Sequence, residues 1–260
     1  MDINQREART FGKISALYEE ARPGYPTQLI SDIVHFSEIS QADSVLDIGC
    51  GSGQVMLPFA LRGYQVTGLD VSCEMIEIAR KKCSSFSRVN FKTATFEDAE
   101  LVDDSFNLIT SGMAWHWVTA SDRYKKASTI LKDNGTVALF WSYQPRESSQ
   151  LVGEVGKLLD SYGGPNRGPA GGRVNEIAQE VFQELCVSRL FQNVQRQEYD
   201  ETIQMDASCY RNLVFSYGWV QGLSLENQQG LDRDLTRLLS QHLEPLLISY
   251  KHVLVMARKT

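Results

Sequence analysis

The stretch Val45-Leu46-Asp47-Ile48-Gly49-Cys50-Gly51-Ser52-Gly53-Gln54 decides the fold of this chain. Ser44–Ile48 is a short apolar run of strand length, and three alternating glycines turn the chain behind it. A helix follows with Val55, Met56, Phe59 and Ala60 on one side, and Gly63 stops it. The same strand–turn–helix rhythm repeats downstream. Gln65–Leu69 is a second strand. Ser72 caps the next helix, Glu74 suits its positive end, and the helix runs to about Cys83. Val89–Ala94 and Phe106–Ser111 are the third and fourth strands. Ser121 or Asp122 opens a helix carrying Tyr124, Ala127, Ile130 and Leu131. Asp133-Asn134-Gly135 signals a turn before a fifth strand, Thr136–Trp141. Such alternation predicts an α/β fold around a doubly wound, mostly parallel sheet.

Outside this core the pattern changes. Upstream, Phe11, Ile14, Leu17, Tyr18 and Ala21 recur at helical spacing until Arg22-Pro23-Gly24-Tyr25-Pro26 breaks the chain. A second helix then places Leu29, Ile30, Ile33 and Val34 on one stripe. Downstream, helices are expected over 148–162, 174–186, 206–217 and 224–243, with strands near 194–199 and 250–257 that bring the sheet to seven. Seven of the ten residues in 163–172 are Gly or Pro, which predicts a loop. The expected organisation is an N-terminal helical segment over 1–40 and a ligand-binding core over 41–145. A helical cap insertion with a late core strand then covers 146–247, and the last strand of the sheet covers 248–260.

Composition narrows the function. The 260 residues are 42% hydrophobic and 22% charged, an ordinary globular balance. With 26 Lys+Arg against 32 Asp+Glu the net charge is −6, which argues against nucleic acid as a partner. Lys81, Lys82 and Arg88 are too few to make a basic stripe. No window resembles a membrane-spanning helix, and the polar N-terminus lacks the apolar run of a secretory signal. The five cysteines are odd in number and form no CxxC pair, so reduced thiols and a cytoplasmic location are expected. The four scattered histidines offer no metal-binding spacing, and no metal is expected.

The glycine turn lies at the first strand-to-helix crossover, where open α/β sheets bind ligands. A dinucleotide fingerprint, G-x-G-x-x-G, requires its third glycine where Gln54 stands, so a nicotinamide cofactor fits poorly. Asp47, just before the glycines, would repel a pyrophosphate and suit a cation. S-adenosylmethionine (SAM) carries an ammonium and a sulfonium and no phosphate. Gly49, Gly51 and Gly53 let the backbone pass closely under such a ligand. Asp70 follows Asp47 by 23 residues, at the end of the second strand, an offset suited to the two hydroxyls of a ribose. Val71 and Met75 are placed to press on an adenine face. The plainer alternative is that the glycines only turn the chain and Asp70 only caps a helix.

VLDIGCGSGQ followed by GLDVS resembles the class I SAM-dependent methyltransferases of the type 11 group, with a Rossmann-like fold. Tyr18-Glu19-Glu20-Ala21-Arg22-Pro23-Gly24-Tyr25-Pro26 is similar to one branch's N-terminal lid, Y-x-x-x-R-P-x-Y-P. Thr95-Phe96-Glu97-Asp98, Asp104–Ile109 and Ala114-Trp115-His116-Trp117-Val118 resemble that branch's later segments, with Asn107 replacing the usual aspartate at a position expected to be structural. The resemblance covers residues 10–142 well. It implies that Asp47, Gly49 and Gly51 hold the methionine part of SAM with Ser111 beside it, that Cys50 and Gly53 belong to the same cofactor-binding turn, and that Asp70 takes the ribose. It also implies that Thr95 and Phe96 flank the adenine, and that Tyr18 and Arg22 close over the cofactor, Arg22 pairing with its carboxylate.

The acceptor side is expected at Tyr25, Trp115, His116, Trp117 and Trp141, with His116 either a general base or an orienting group. Trp219 and Tyr217 are candidates to line an apolar site from the cap. The expected activity is methyl transfer from SAM, with S-adenosylhomocysteine as product, to a small-molecule acceptor, O-methylation first and N- or C-methylation next. The rival expectations are a SAM-binding regulatory or scaffold protein without turnover, and an RNA or protein methyltransferase. Oligomeric state is left open.

Overall fold

The computed structural model describes residues 22–164, 173–242 and 245–260. The expected first helix, Tyr18, and most of the 163–172 loop lie outside the described residues.

In chain order the elements are α1 (Thr27–Ser37), β1 (Ser44–Ile48), α2 (Met56–Leu61), β2 (Gln65–Asp70), α3 (Cys73–Lys82), β3 (Val89–Thr93) and β4 (Phe106–Gly112). A 3-10 turn, Trp115–Trp117, precedes α4 (Arg123–Ile130) and β5 (Leu131–Tyr143). Then come α5 (Gln150–Ser161), α6 (Val174–Val187), β6 (Phe191–Met205), α7 (Ala207–Phe215), α8 (Gly218–Gln221), α9 (Leu225–Leu239) and β7 (Leu246–Lys259). The sheet has seven strands in the order β3-β2-β1-β4-β5-β7-β6. β1 pairs in parallel with β2 and β4, so the strand order reverses beside it, where a ligand crevice belongs. Its residues from Val45 to Ile48 are all buried, as a central parallel strand covered on both faces requires.

β5 differs from expectation in an instructive way. The turn signal at Asp133-Asn134-Gly135 does not end the strand. Phe106 pairs with Leu131 and Leu108 with Thr136, so four residues of β5 stand opposite one of β4. The surplus is a bulge, and Asn134 takes a left-handed φ of 60° within it. At the far edge β6 runs for 15 residues, from Phe191 to Met205, well beyond the expected 194–199.

Contacts divide the chain into two compact units. One comprises Gly24–Trp141, Glu176–Glu198 and Val253–Thr260 and contains β1 to β4. In it, Arg123 and the Tyr124 hydroxyl both donate to Glu184 at 2.6 Å, tying α4 to α6. The other includes Ser142–Asn175 and Tyr199–His252. Its core is a leucine-rich cluster around Leu159, Leu213, Leu231, Leu235 and Ile248, contributed by α5, α7, α9 and β7.

Candidate active site

Asp47 is the penultimate residue of β1 and is 1% exposed. One carboxylate oxygen, Oδ1, accepts a 2.8 Å bond from the Thr110 hydroxyl on β4. The other, Oδ2, is buried with no partner among the described residues. Burial raises the Asp47 pKa to about 8; the Thr110 bond opposes this and the Asp70 charge adds to it. A buried carboxyl oxygen of this kind suits a cation or a hydrogen-bond donor.

The glycine turn lies immediately after it. Gly49 (φ 68°), Gly51 (φ 51°) and Gly53 (φ 82°) all occupy the left-handed region. Gly49 N–H and Cys50 N–H both donate to the Leu69 carbonyl, at 2.8 and 3.0 Å, which pins the turn to the end of β2. A Cβ on Gly49 would overlap the Ala114 methyl group. Asp70 completes the cradle. Its Oδ2 accepts from Gly51 N–H at 2.8 Å and its Oδ1 from Ser72 N–H at 2.9 Å. Burial raises its pKa, opposed by those backbone bonds. Asp70 therefore shapes the turn and begins the capped helix α3, and its oxygens keep further lone pairs for a ligand. The Ser72 hydroxyl accepts from Met75 N–H, as expected of the cap.

The remaining expected cofactor residues are close to this turn or are engaged in structure. Ser111, fully buried on β4, donates to the Ile48 carbonyl at 2.8 Å and so fixes the backbone beside Asp47. Cys50 is 4% exposed and its thiol pKa is pushed up by burial, so it behaves as an inert packing group. Met75 is buried and Val71 half-buried. The Thr95 hydroxyl donates to Asp98 at 2.9 Å and accepts the Asp98 N–H, making a turn after β3. The Phe96 ring is 3% exposed and tilts against Trp115 at 5.8 Å. Asn107 is structural: its Oδ1 accepts from Ser44 N–H and from the Lys132 ammonium. Arg22 belongs to the other unit, where it donates to the Ser216 hydroxyl at 3.3 Å and lies 4.7 Å from the Tyr217 ring centroid.

The Trp115-His116-Trp117 segment follows β4. His116 Nδ1 accepts the Trp141 indole N–H at 3.2 Å. Burial, with the Arg123 charge second, lowers its pKa to about 4. The ring is therefore neutral at pH 7, its proton is on Nε2, and it presents a donor. A group this weakly basic accepts few protons at neutral pH, so the geometry fits the orienting role. Trp115 and Trp141 are both 0% exposed. They brace the His116 turn from behind, whereas Trp117 is half-buried, 4.8 Å from the His116 ring. Tyr25 stands edge-on to Phe140 at 4.7 Å and covers Gly112, where a Cβ would come within 2.6 Å of its hydroxyl.

Sequence reasoning missed two contributors, Thr110 and Met113. Thr110 acts through a partner 63 residues away, visible only once strand register is known; Trp141 is expected at the acceptor side, but its bond to His116, 25 residues away, is not. Met113, directly after β4, holds φ at 56° and donates to the Phe140 carbonyl. Strain in a residue that is not glycine is a mark of functional sites, and no local pattern announces it.

Comparison with known proteins points to a methyltransferase domain. Residues 45–135 match the model of a methyltransferase domain, a stretch that begins at β1 and ends in the β5 bulge. An uncharacterized methyltransferase of Schizosaccharomyces pombe is 25% identical over 89% of this chain and 87% of its own length. A probable S-adenosylmethionine-dependent methyltransferase of Saccharomyces cerevisiae is 32% identical over 50% of this chain, but the match spans only 46% of that relative. Among solved structures, the YcgJ protein of Bacillus subtilis superposes with a TM-score of 0.56 at 21% identity, covering 90% of this chain and 99% of that one. The domain match, the sheet order and the acidic glycine turn together support a class I SAM-dependent methyltransferase, with SAM as the cofactor.

Proposed function

We propose that this protein transfers a methyl group from SAM to a small-molecule acceptor, with an oxygen acceptor as the first expectation. The observation that carries the reading is the buried Asp47 Oδ2, without a partner among the described residues, beneath a glycine turn. It suits an ammonium group and repels a phosphate. Asp47 and the backbone at Gly49 and Gly51 hold the methionine part, with Ser111 and Thr110 stiffening the strand beside them. Asp70 takes the ribose hydroxyls with lone pairs left over from Gly51 and Ser72. Val71, Met75, Thr95 and Phe96 surround the adenine. When bound, SAM supplies a sulfonium-activated methyl group.

The residues near the acceptor orient it and exclude water. His116 offers its Nε2–H to an acceptor oxygen, and Tyr25 and Trp117 flank it. Arg22 is engaged by Ser216 and Tyr217, so no cofactor role is assigned to it. An acidic chain, net −6, fits a small molecule better than RNA.

Calorimetry tests the reading. SAM and S-adenosylhomocysteine should both bind, and Asp70→Ala should weaken each by about 1.5–3 kcal/mol, the worth of a hydrogen bond to a charged group. Absence of binding by either ligand overturns the assignment of the site. SAM binding without transfer to any member of a broad acceptor panel would favour a regulatory SAM-binding role.

A further inference from the structure

Two contacts from the end of β5 hold the segment that follows β4, and both lie within the unit that contains β1 to β4. The Phe140 carbonyl accepts the Met113 N–H at 2.9 Å, which fixes the start of the segment at its left-handed residue. The next residue of β5, Trp141, donates its indole N–H to His116 Nδ1 at 3.2 Å and holds the imidazole itself.

The second contact also places a proton. An indole has a hydrogen to give and no lone pair to offer, so its partner must be an unprotonated ring nitrogen. A hydroxyl or a water beside an imidazole leaves the ring orientation and the tautomer open, but a donor without acceptor capacity fixes both. Nδ1 keeps its lone pair for Trp141, and the proton stands on Nε2. The same bond opposes protonation. An imidazolium carries hydrogen on both nitrogens, so a proton arriving at Nδ1 would meet the indole hydrogen head on. Arg123 on α4 acts in the same direction, because its charge disfavours a second positive charge on the ring. That guanidinium is itself held by Glu184 at 2.6 Å. One nitrogen of His116 is thus committed as an acceptor and the other as a donor, and neither is free to take a proton from a bound molecule.

Trp115 provides an internal comparison. It is as fully buried as Trp141, at 0% exposed, and adjoins His116 in the chain. Its indole N–H, however, donates to the Tyr124 hydroxyl at 3.4 Å. The two indoles have the same bulk and different hydrogen-bond partners, so packing and proton placement can be told apart.

We propose that Trp141 is a positioning residue of the methyl-transfer site: its indole N–H locks His116 as a permanent hydrogen-bond donor through Nε2 and bars it from acting as a base. The proposal rests on the methyltransferase reading above, in which His116 faces the acceptor, and it selects between the two roles considered for that residue.

The full chain, with ¹⁵N-labelled histidine rings, is followed by NMR between about pH 5 and pH 8, the range in which an ordinary histidine titrates. His116→Gln identifies the His116 signals among the four histidines. Wild type is expected to show the neutral Nε2–H form of His116 across the range. Trp141→Phe should turn it into a mixture of both neutral tautomers and raise the proton affinity of the ring about tenfold, the worth of one hydrogen bond. Trp115→Phe removes the same bulk beside the ring and should leave the Nε2–H form in place. The proposal is overturned if wild-type His116 carries its proton on Nδ1 or is a mixture, a result that needs no variant at position 141 to fold. It is overturned equally if Trp141→Phe leaves the tautomer unchanged, or if Trp115→Phe disturbs it as much. SAM calorimetry on the wild-type sample reads the cofactor site separately. Its failure removes the methyltransferase reading, whereas the histidine spectrum alone decides the lock.

Discussion

Asp47 concentrates the chemistry of the site in one carboxyl group. Its pKa in the folded chain is about 8 against an ordinary 3.8, so the folded state binds a proton that the unfolded state releases between those values. The sign follows from linkage. This contribution to stability is complete below pH 4 and is lost as pH rises through about 8. In the absence of SAM, Asp47→Asn should therefore flatten the fall in stability between pH 5 and pH 8, as measured by urea unfolding. Where a cation meets the carboxylate the dependence reverses, and SAM affinity should rise with pH over the same range and lose that rise in Asp47→Asn. An unchanged pH profile in the variant would show that the carboxyl is not buried and protonated as described. The acidic residue, the glycines and Asp70 are all legible in the sequence because they lie within 23 residues of one another and obey local rules of turn and strand end. Thr110 is not, because it acts through a partner that only strand pairing brings near. The contact of Phe96 with Trp115 at 5.8 Å is likewise a packing choice that spacing does not reveal.

At the scale of elements, the strand β1, the turn and β2 act as one piece. The Leu69 carbonyl receives two N–H groups of the turn, and the Asp70 carboxylate receives one from each side of its strand end. Gly49→Ala attacks that piece twice, by a left-handed φ and by collision with Ala114. It should cost about 1–3 kcal/mol of stability from strain and overpacking. It should also weaken SAM binding more than the stability loss alone explains, which denaturant melts and calorimetry on the same variant would separate. A variant with wild-type stability would show the turn to be looser than its contacts indicate. The five strands expected through Trp141 are all present because each is bounded by a glycine, a cap or a turn signal. β5 is longer than expected because Asp133-Asn134-Gly135 marks a reversal in most settings, and here the same residues form a bulge opposite a single residue of β4.

For the whole molecule, ligand binding and charge govern behaviour. Anything that binds only the folded state stabilises it by mass action, so SAM at one hundred times its dissociation constant should add about 2.7 kcal/mol to the unfolding free energy. A thermal melt that does not move under those conditions would contradict cofactor binding. No helix among the described residues is long and apolar enough to cross a membrane. The last strand of the sheet has a wider consequence. β6 is an edge of 15 residues, among which Arg196, Glu198, Asp200 and Glu201 interrupt what would otherwise be an open template for another chain. Those charges act as guards against polymerisation. A version of the protein with valines in their place is expected to acquire a seam along which molecules zip together, so four side chains at the rim of the sheet, far in sequence from the glycine turn, would decide whether copies stay apart.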